Sequence, residues 1–589
     1  TQYVRTEVKK IFDTSSTRLT SVIEENSNGQ TRSRQFTYGV TGKPSKLTSL
    51  TVKNGSGEVI RKRWANWSAS LGSGRQELHQ IWDWTHGDPA QSPSPSNAVL
   101  AQEVTSYDAY GNPKILLDAN GYRTTYYYGS NSNPLSYTSL HGTDGVYLTG
   151  VRKDTIGGSF ATTLISKATY DVYGRLTSIL DHNDNTTTFG WDSLHRLEEV
   201  RNDNNELVEA YDYIKSYLGG TYDETYSNYI QTLRYDGAQT RTSRAYVDGL
   251  GRPIQSQMQG DGHTIITAME YDGQGRPWKS YKPYPKVGSI GYHSGYDGAA
   301  QTEYGTDPFV ESLYEASPLG RPEESIPEGG ATASGSVATD YEVRTWNSNK
   351  WLVTTTTDEI GNLAENWADG WGRTIRTIAD PGGLQIQTQF EYDELDQLTK
   401  VYHPNHFTET GDWTTEYVYD KRGRLTQKTS IDAGTTRYLY DPAGNLRFTQ
   451  DAVHAAASDV VFRRYDFAGR LIEEGVGNIG ATNFENLDAA GTESFESDQT
   501  NLIGFYQYDL KPDHNNFPWN QFSDQITSVN ITNRDGNLTG RAWRFNNYGA
   551  PENVNLNGIG ITQDETYLAT ISITAENTVV SSGSELVLS

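Results

Sequence analysis

One phrase recurs along this chain: an aromatic residue, Asp, two variable residues, Gly, then Arg or Asn, often with Leu or Pro next. A short unit repeated many times restricts a chain to architectures made of stacked copies of one structural element. The first copies are Tyr107-Asp108-Ala109-Tyr110-Gly111-Asn112, Tyr170-Asp171-Val172-Tyr173-Gly174-Arg175-Leu176 and the degenerate Trp191-Asp192-Ser193-Leu194-His195-Arg196-Leu197. Asp248-Gly249-Leu250-Gly251-Arg252-Pro253, Tyr271-Asp272-Gly273-Gln274-Gly275-Arg276-Pro277, Asp369-Gly370-Trp371-Gly372-Arg373 and the looser Tyr392-Asp393-Glu394-Leu395-Asp396-Gln397-Leu398 follow. The series closes with Tyr419-Asp420-Lys421-Arg422-Gly423-Arg424-Leu425, Tyr440-Asp441-Pro442-Ala443-Gly444-Asn445-Leu446 and Tyr465-Asp466-Phe467-Ala468-Gly469-Arg470-Leu471. Asp-to-Asp spacings are 21 (171 to 192), 24 (248 to 272), 24 (369 to 393), 27 (393 to 420), 21 (420 to 441) and 25 (441 to 466). A period of 21 with small insertions predicts one structural unit per copy, with the insertions in loops.

The unit is legible from its residue types. Asp at the first turn position can accept hydrogen bonds from N–H groups two or three residues on, and Gly at the fourth tolerates positive φ. The flanks alternate with period two, as in Arg424-Leu425-Thr426-Gln427-Lys428-Thr429, and runs such as Thr124-Thr125-Tyr126-Tyr127-Tyr128 and Val353-Thr354-Thr355-Thr356-Thr357 have strand composition. Each unit is therefore a β-hairpin, and hairpins pairing edge to edge give an all-β antiparallel ribbon with little helix. Tyr and Leu at equivalent sites are expected to stack in ladders across the strands, each aromatic pair adding about 0.5–1.5 kcal/mol beyond area burial.

Composition excludes several function classes. The 589 residues carry 49 Lys+Arg against 74 Asp+Glu, a formal charge of −25, which disfavours nucleic-acid binding because phosphate contacts need clustered cations. The aromatic share of 12% argues against disorder. With no Cys there is no disulfide, thiolate metal site or cysteine nucleophile. No apolar run approaches the roughly 18 residues of a membrane span. Thr1 in place of an initiator Met, and the ending Ser584-Glu585-Leu586-Val587-Leu588-Ser589, are expected of a piece cut from a longer polypeptide.

The repeated phrases closely resemble the YD repeats of the rearrangement-hotspot (Rhs) family, which is related to insecticidal toxin-complex shell subunits and teneurins. The Asp248–Pro253 and Tyr271–Pro277 phrases followed by Lys282-Pro283-Tyr284 are similar to the variant of large exported proteins of Bacteroidetes-type bacteria. The resemblance covers residues 100–475. It implies a YD-repeat antiparallel β-hairpin ribbon curling into a partial or complete hollow shell, which in toxin members encloses a C-terminal cargo. Toxin-bearing members close the shell with a core segment that holds a self-cleaving aspartyl site. That segment is not found here: Asp380-Pro381-Gly382-Gly383 and Asp441-Pro442 lie mid-array and read as turns. Either it lies beyond Ser589 or this member does not process a cargo.

Domain organisation follows from where the phrases fade. Residues 1–100 form an N-terminal β region or shell plug, with Phe36-Thr37-Tyr38-Gly39 as a worn repeat and Pro89–Ser96 as a loop. Residues 101–475 are the repeat array, with a Gly/Ser/Ala-rich insertion near 285–345. Residues 476–560 hold degenerate repeats, including Tyr506-Gln507-Tyr508-Asp509 and the stretch from Asp535 to Arg541. Residues 561–589 resemble the start of a small β-domain of the kind that precedes type IX sorting signals.

Residues that suggest chemistry have plainer readings. His403-Pro404-Asn405-His406 spaces two imidazoles by three but lies in a Pro loop without a following Glu, so no zinc site is expected. Asp181-His182-Asn183-Asp184-Asn185 with Asp192 mimics a Ca²⁺ loop but lacks the Gly at position six and the terminal Glu, and Asp118-Ala119-Asn120-Gly121 fares no better. The Asp/Arg pairs recur in nearly every unit, whereas an active site occurs once, so they are structural. No Gly-x-Ser-x-Gly elbow or phosphate-binding loop is present. Trp64, Trp67, Trp82 and Trp84 could stack on sugars or partner proteins, but plugging the open end of the sheet is favoured.

The expected function is a non-catalytic structural shell or scaffold of a secreted bacterial Rhs-type protein, without cofactors or metal, enclosing or presenting a toxin-like C-terminal cargo. The alternative is a cell-surface adhesin or glycan-binding protein exported by the type IX system, whose translocon would be a transient partner. Expected partners are the protein's own cargo domain or a cell-surface molecule, at a secreted or cell-surface location.

Overall fold

The computed structural model describes residues 7–497, except 14–17, 27–28, 41–42, 74, 130–145, 155–163, 182–184, 216, 219–220, 223–227, 238, 261 and 331–334, and beyond them the strand segments within 502–574. Antiparallel strands joined by short turns dominate, and most of them belong to one long open sheet. Helix among the described residues is confined to Tyr296–Tyr304, Ala452–Ala457 and short 3-10 turns. The low helix content follows from Thr- and Tyr-rich runs with period-two patterning, which suit a pleated surface.

The chain divides into two compact units. The first combines Thr1–Ile11, Val22–Ser33 and Thr187–Thr414; the second combines Phe12–Ser21, Arg34–Thr186 and Thr415–Ser589. In both, consecutive strands pair, so turns fall alternately on the two edges of the ribbon. The Tyr-Asp turns occupy one edge, and those starting at Asp118, Asp181, Asn202, Asp358 and Asp380 occupy the other.

In the second unit the array begins well before residue 100. Hairpins link Lys43–Asn54, Val59–Ser68, Glu77–Trp84 and Ala98–Tyr107 in succession. Trp64 faces Trp82 directly across the strands, and Trp64, Trp84 and Ala98 form a buried cluster, so these tryptophans serve as sheet core. Trp67 donates its Nε1–H to the Leu47 carbonyl at 2.8 Å. Tyr38 of the worn repeat donates to the Leu19 carbonyl at 3.0 Å.

In the first unit the Gly/Ser/Ala-rich stretch contains a folded-back segment after which the array resumes at Phe309–Tyr314, paired with Pro277–Tyr281. Its helix Tyr296–Tyr304 places Ala300 against Ile266, Ala268, Tyr281, Tyr284 and Phe309. Two buried glutamines on the strand Pro253–Gln259 hold the preceding loop as a neighbouring backbone would. Gln255 exchanges hydrogen bonds with both backbone groups of His293 (3.0 and 3.1 Å), and Gln257 with both of Gly291 (2.7 and 2.9 Å).

The candidate remnants at the C-terminal side are partly described. Leu502–Tyr508 and Leu538–Trp543 are paired strands, whereas Asp509, Asp535–Asn537 and most of 561–589 lie outside the described residues.

Candidate functional site

The feature that recurs at nearly every step is the turn, and each letter of its phrase has a physical task. In the copy at Asp272, Oδ1 accepts the backbone N–H groups of Gln274 and Arg276, both at 2.9 Å, and Oδ2 accepts Nε–H of Arg276 at 2.7 Å. The Asp272 N–H donates to the Arg276 carbonyl and the Gly275 N–H to the Asp272 carbonyl, both at 2.9 Å. This is a type I turn followed by a glycine bulge, with φ of 83° at Gly275 and a register shift at Tyr271. The same set of bonds recurs at Asp248, Asp369, Asp420 and Asp466. The carboxylate therefore caps N–H groups two and four residues on, not two or three, because the bulge carries the fifth residue back over the turn.

The Tyr and Arg of each phrase tie one repeat to the next. The Tyr271 hydroxyl donates to the Pro253 carbonyl at 2.7 Å, Tyr440 to Leu425 at 2.9 Å and Tyr465 to Leu446 at 3.0 Å. In each case the acceptor is the residue that follows the preceding turn's Arg or Asn. That Arg lies over the next tyrosine ring: Arg252 over Tyr271 and Arg276 over Tyr314 at 4.4 Å, Arg424 over Tyr440 at 4.9 Å. The ladder expected of Tyr on Tyr is thus, at these steps, alternating guanidinium and phenol. Spacing explains it: equivalent Tyr residues are two strands apart, and the Arg from the turn between fills the gap. Tyr147 stacked on Tyr170 at 5.0 Å is a step with an aromatic pair. Burial pushes the hydroxyls of Tyr170, Tyr440 and Tyr465 above the usual phenol range.

Further turns of the same geometry carry no such phrase. Asn26–Gln30, Asn54–Glu58 and Asn202–Glu206 make the same backbone pair as Asp–x–x–Gly–Arg. Where the first residue is Asn its amide donates, and the fifth is an acceptor: Asn54 Nδ2 to Glu58 Oε2 at 3.2 Å, Asn202 Nδ2 to Glu206 Oε2 at 2.9 Å, Asn26 Nδ2 to Gln30 Oε1 at 2.9 Å. Asp118 and Asp181, whose surroundings mimic cation loops in the sequence, cap turns of this class, Asp181 accepting the Asn185 amide at 3.0 Å. The signal that finds all of them is donor–acceptor complementarity between positions one and five. In degenerate copies His195, Asn205 and Asp396 keep the glycine's positive φ, at 62–64°.

The third turn residue makes long-range contacts. In the first unit Trp371 lies between two guanidiniums, Arg32 at 4.4 Å and Arg373 at 4.5 Å. Arg32 also pairs with Asp396 at 2.5 Å, and Arg373 donates to Gln30 Oε1 at 2.7 Å, so the N-terminal hairpin clasps the two turns at 369 and 393. In the second unit the Ala443 N–H donates to Asn120 Oδ1 at 3.1 Å and the Asn120 amide to Asp441 at 2.8 Å, while Lys421 lies over Trp84 at 4.9 Å. His403 and His406 flank and form a 3-10 turn in which the His406 ring packs on Tyr402 at 4.9 Å. No group of three or more metal-ligating side chains occurs among the described residues, and no helix there is long and apolar enough to cross a membrane.

The RHS repeat family matches residues 170–206 and 419–459, and a domain of unknown function, DUF6443, matches 220–345. No curated protein matches the sequence. Among solved structures, TcdB2-TccC3 superposes with a TM-score of 0.59 at 13% identity, covering 88% of this chain and 33% of that one. The Photorhabdus luminescens Tc holotoxin pore, with a TccC3 mutation, superposes with a TM-score of 0.58 at 13% identity, covering 83% and 30%. TcdB2-TccC3 without its hypervariable C-terminal region gives 0.59 at 12% identity, covering 86% and 34%. The chain thus spans about a third of the structures it matches, and it shares their fold. The repeated turn, the family matches and that fold agree: the chain is an Rhs/YD-repeat protein.

Proposed function

We propose that this chain is the wall of a secreted, non-catalytic bacterial shell that encloses or presents a C-terminal cargo. The observation that carries the reading is the repetition of one self-capped turn along a sheet whose fold is that of TcdB2-TccC3. A wall needs many equivalent joints and no unique reactive centre, and the charged groups at the turns are bound to each other. Export by a type IX route, with its translocon as transient partner, belongs to the same proposal. So does the partnership with a cargo domain or with another shell component, as the names of the similar structures suggest.

Limited proteolysis of the natural full-length product, with fragments identified by mass spectrometry, tests it. A segment beyond Ser589 that survives while the sheet is intact and is digested after denaturation is the expected result. If everything beyond Ser589 is clipped while the sheet stays whole, the enclosing role fails and an exported surface adhesin becomes the better reading.

A further inference from the structure

Where two stretches of the ribbon meet inside a unit, they meet edge to edge by one rule. In the first unit the turn Asn26–Gln30 reaches the turn at Asp369, through Arg373 to Gln30 at 2.7 Å and Arg32 over Trp371 at 4.4 Å. In the second unit the strand Glu77–Trp84 ends where Trp84 lies under Lys421 at 4.9 Å and Asp83 pairs with Arg422 at 3.6 Å. The turn at Asp118 reaches the turn at Asp441 through Asn120 at 2.8 Å. Each time the second edge of the ribbon meets a Tyr-Asp turn of the first. Each time, 26 described strands separate the two in chain order.

The residue before the glycine position carries much of this meeting. It is Trp371, Arg422 and Ala443 at the three turns that are met, Ala443 through its N–H to Asn120 at 3.1 Å. Earlier along the first edge, still in the first unit, the same position holds leucine. Leu194, Leu250 and Leu319 are 68%, 81% and 73% exposed, so nothing described covers them. A lone exposed leucine is ordinary, but one at the docking position of three turns on a single edge marks a surface without its counterpart. The second edge carries side chains to match: Ile360 and Leu384, on the turns starting at Asp358 and Asp380, are exposed as well.

Charge and tethering select the occupant. Two copies of the chain would bring together formal charges of −25 each, which repel. A stretch of the same polypeptide is held nearby and docks at a high effective concentration. We propose that Leu194, Leu250 and Leu319 dock the second edge of an earlier stretch of this ribbon in the natural full-length product, through aliphatic turn residues of the kind seen at Ile360 and Leu384. The spacing of 26 strands puts that stretch ahead of Glu7–Phe12. This goes beyond the shell reading and does not rest on it, since edges can dock whether or not the sheet encloses a cargo.

The test is hydroxyl-radical footprinting of the natural full-length product and of the 589-residue chain, read by mass spectrometry, with the exposed Met258 as internal reference. In the 589-residue chain the three leucines should be labelled freely at every protein concentration. In the natural product their labelling should fall several-fold. Leu250→Arg with Leu319→Arg should lower the melting temperature of the natural product. It should leave that of the 589-residue chain unchanged, because there both side chains already stand in water. Three results overturn the proposal. The leucines are labelled equally in both proteins, or the double variant melts as the parent does in both, and nothing docks there. Protection appears in the 589-residue chain and grows with its concentration, and the occupant is a second copy. Protection in the natural product is lost on truncation after Ser589, and the occupant is a later segment. The proteolysis that tests the shell reads only what lies beyond Ser589, so either reading can fail without the other.

Discussion

The repeat confines the left-handed backbone to one position of each turn, usually a glycine, and leaves the rest of the turn permissive. Gly251, at φ 81°, has open space around the site of a Cβ, so Gly251→Ala should cost only the left-handed backbone penalty of about 1–2 kcal/mol. At Gly275 the added methyl would lie 2.7 Å from Arg252 Nη1, so Gly275→Ala should cost more and loosen Arg252 from Tyr271. Thermal denaturation of the two variants gives the comparison. Positions one and five should be exchangeable as a pair. The Asn362 amide donates to the Asp358 carboxylate, so Asn362→Glu sets one carboxylate against another and should speed amide exchange at residues 360 and 362. Adding Asp358→Asn should restore protection, because it recreates the pairing seen at Asn54 and Glu58. Acid should act on the same groups. The backbone N–H and guanidinium of Arg276 hold Asp272 below the usual carboxylate range, and Arg196 does the same for Asp192. Arg321 and Ser317 hold Glu315 down to about 2. A depressed folded-state value stabilises above the unfolded one, so turn protection should persist to about pH 4. It should then decline toward about pH 2, read by far-ultraviolet circular dichroism.

At the scale of an element, two strapping contacts set what a strand or loop contributes. The segment 479–497 is fixed to Leu446–Gln450 by Arg447 and Glu496, both buried, paired at 2.8 Å, with Phe495 near Phe448 and Phe462. Removing one partner leaves a buried charge alone, so Arg447→Met should cost about 3–5 kcal/mol, and Arg447→Met with Glu496→Leu should recover most of it, both read by chemical denaturation. The clasp of the N-terminal hairpin rests on Trp371 between two guanidiniums. Trp371→Ala should weaken it by about 1–2 kcal/mol and raise amide exchange in 22–33 while leaving 248–277 unchanged. The hairpin array was legible from the sequence because Asp, Gly and Arg have fixed tasks in a bulged type I turn. The clasp was not, since Arg32 meets Asp396 across 364 residues and no local pattern encodes that distance. The early turns at Asn26 and Asn54 are hidden in the sequence for a different reason: inverting donor and acceptor preserves the geometry while erasing the phrase.

For the molecule as a whole, stability is distributed over joints that repeat. Tyrosines take much of the load, so alkali should be the general denaturant. Burial pushes Tyr284 up to about 12, while the unfolded phenol ionises near 10. A raised folded-state value stabilises below the unfolded one, so stability should be kept to about pH 10 and fall between there and about pH 12, with tyrosinate absorbance rising alongside loss of sheet. The alternation of turns between the two edges of the ribbon has a further consequence. Each strand reverses direction, so inserting or deleting a single strand would move every later Tyr-Asp turn to the opposite edge, away from the clasps that meet it. Adding or losing two strands leaves that assignment intact, and each turn, capped by its own side chains, comes with its joint complete. Change of length in such a chain is therefore quantised in hairpins, and viable variants should differ by even numbers of strands.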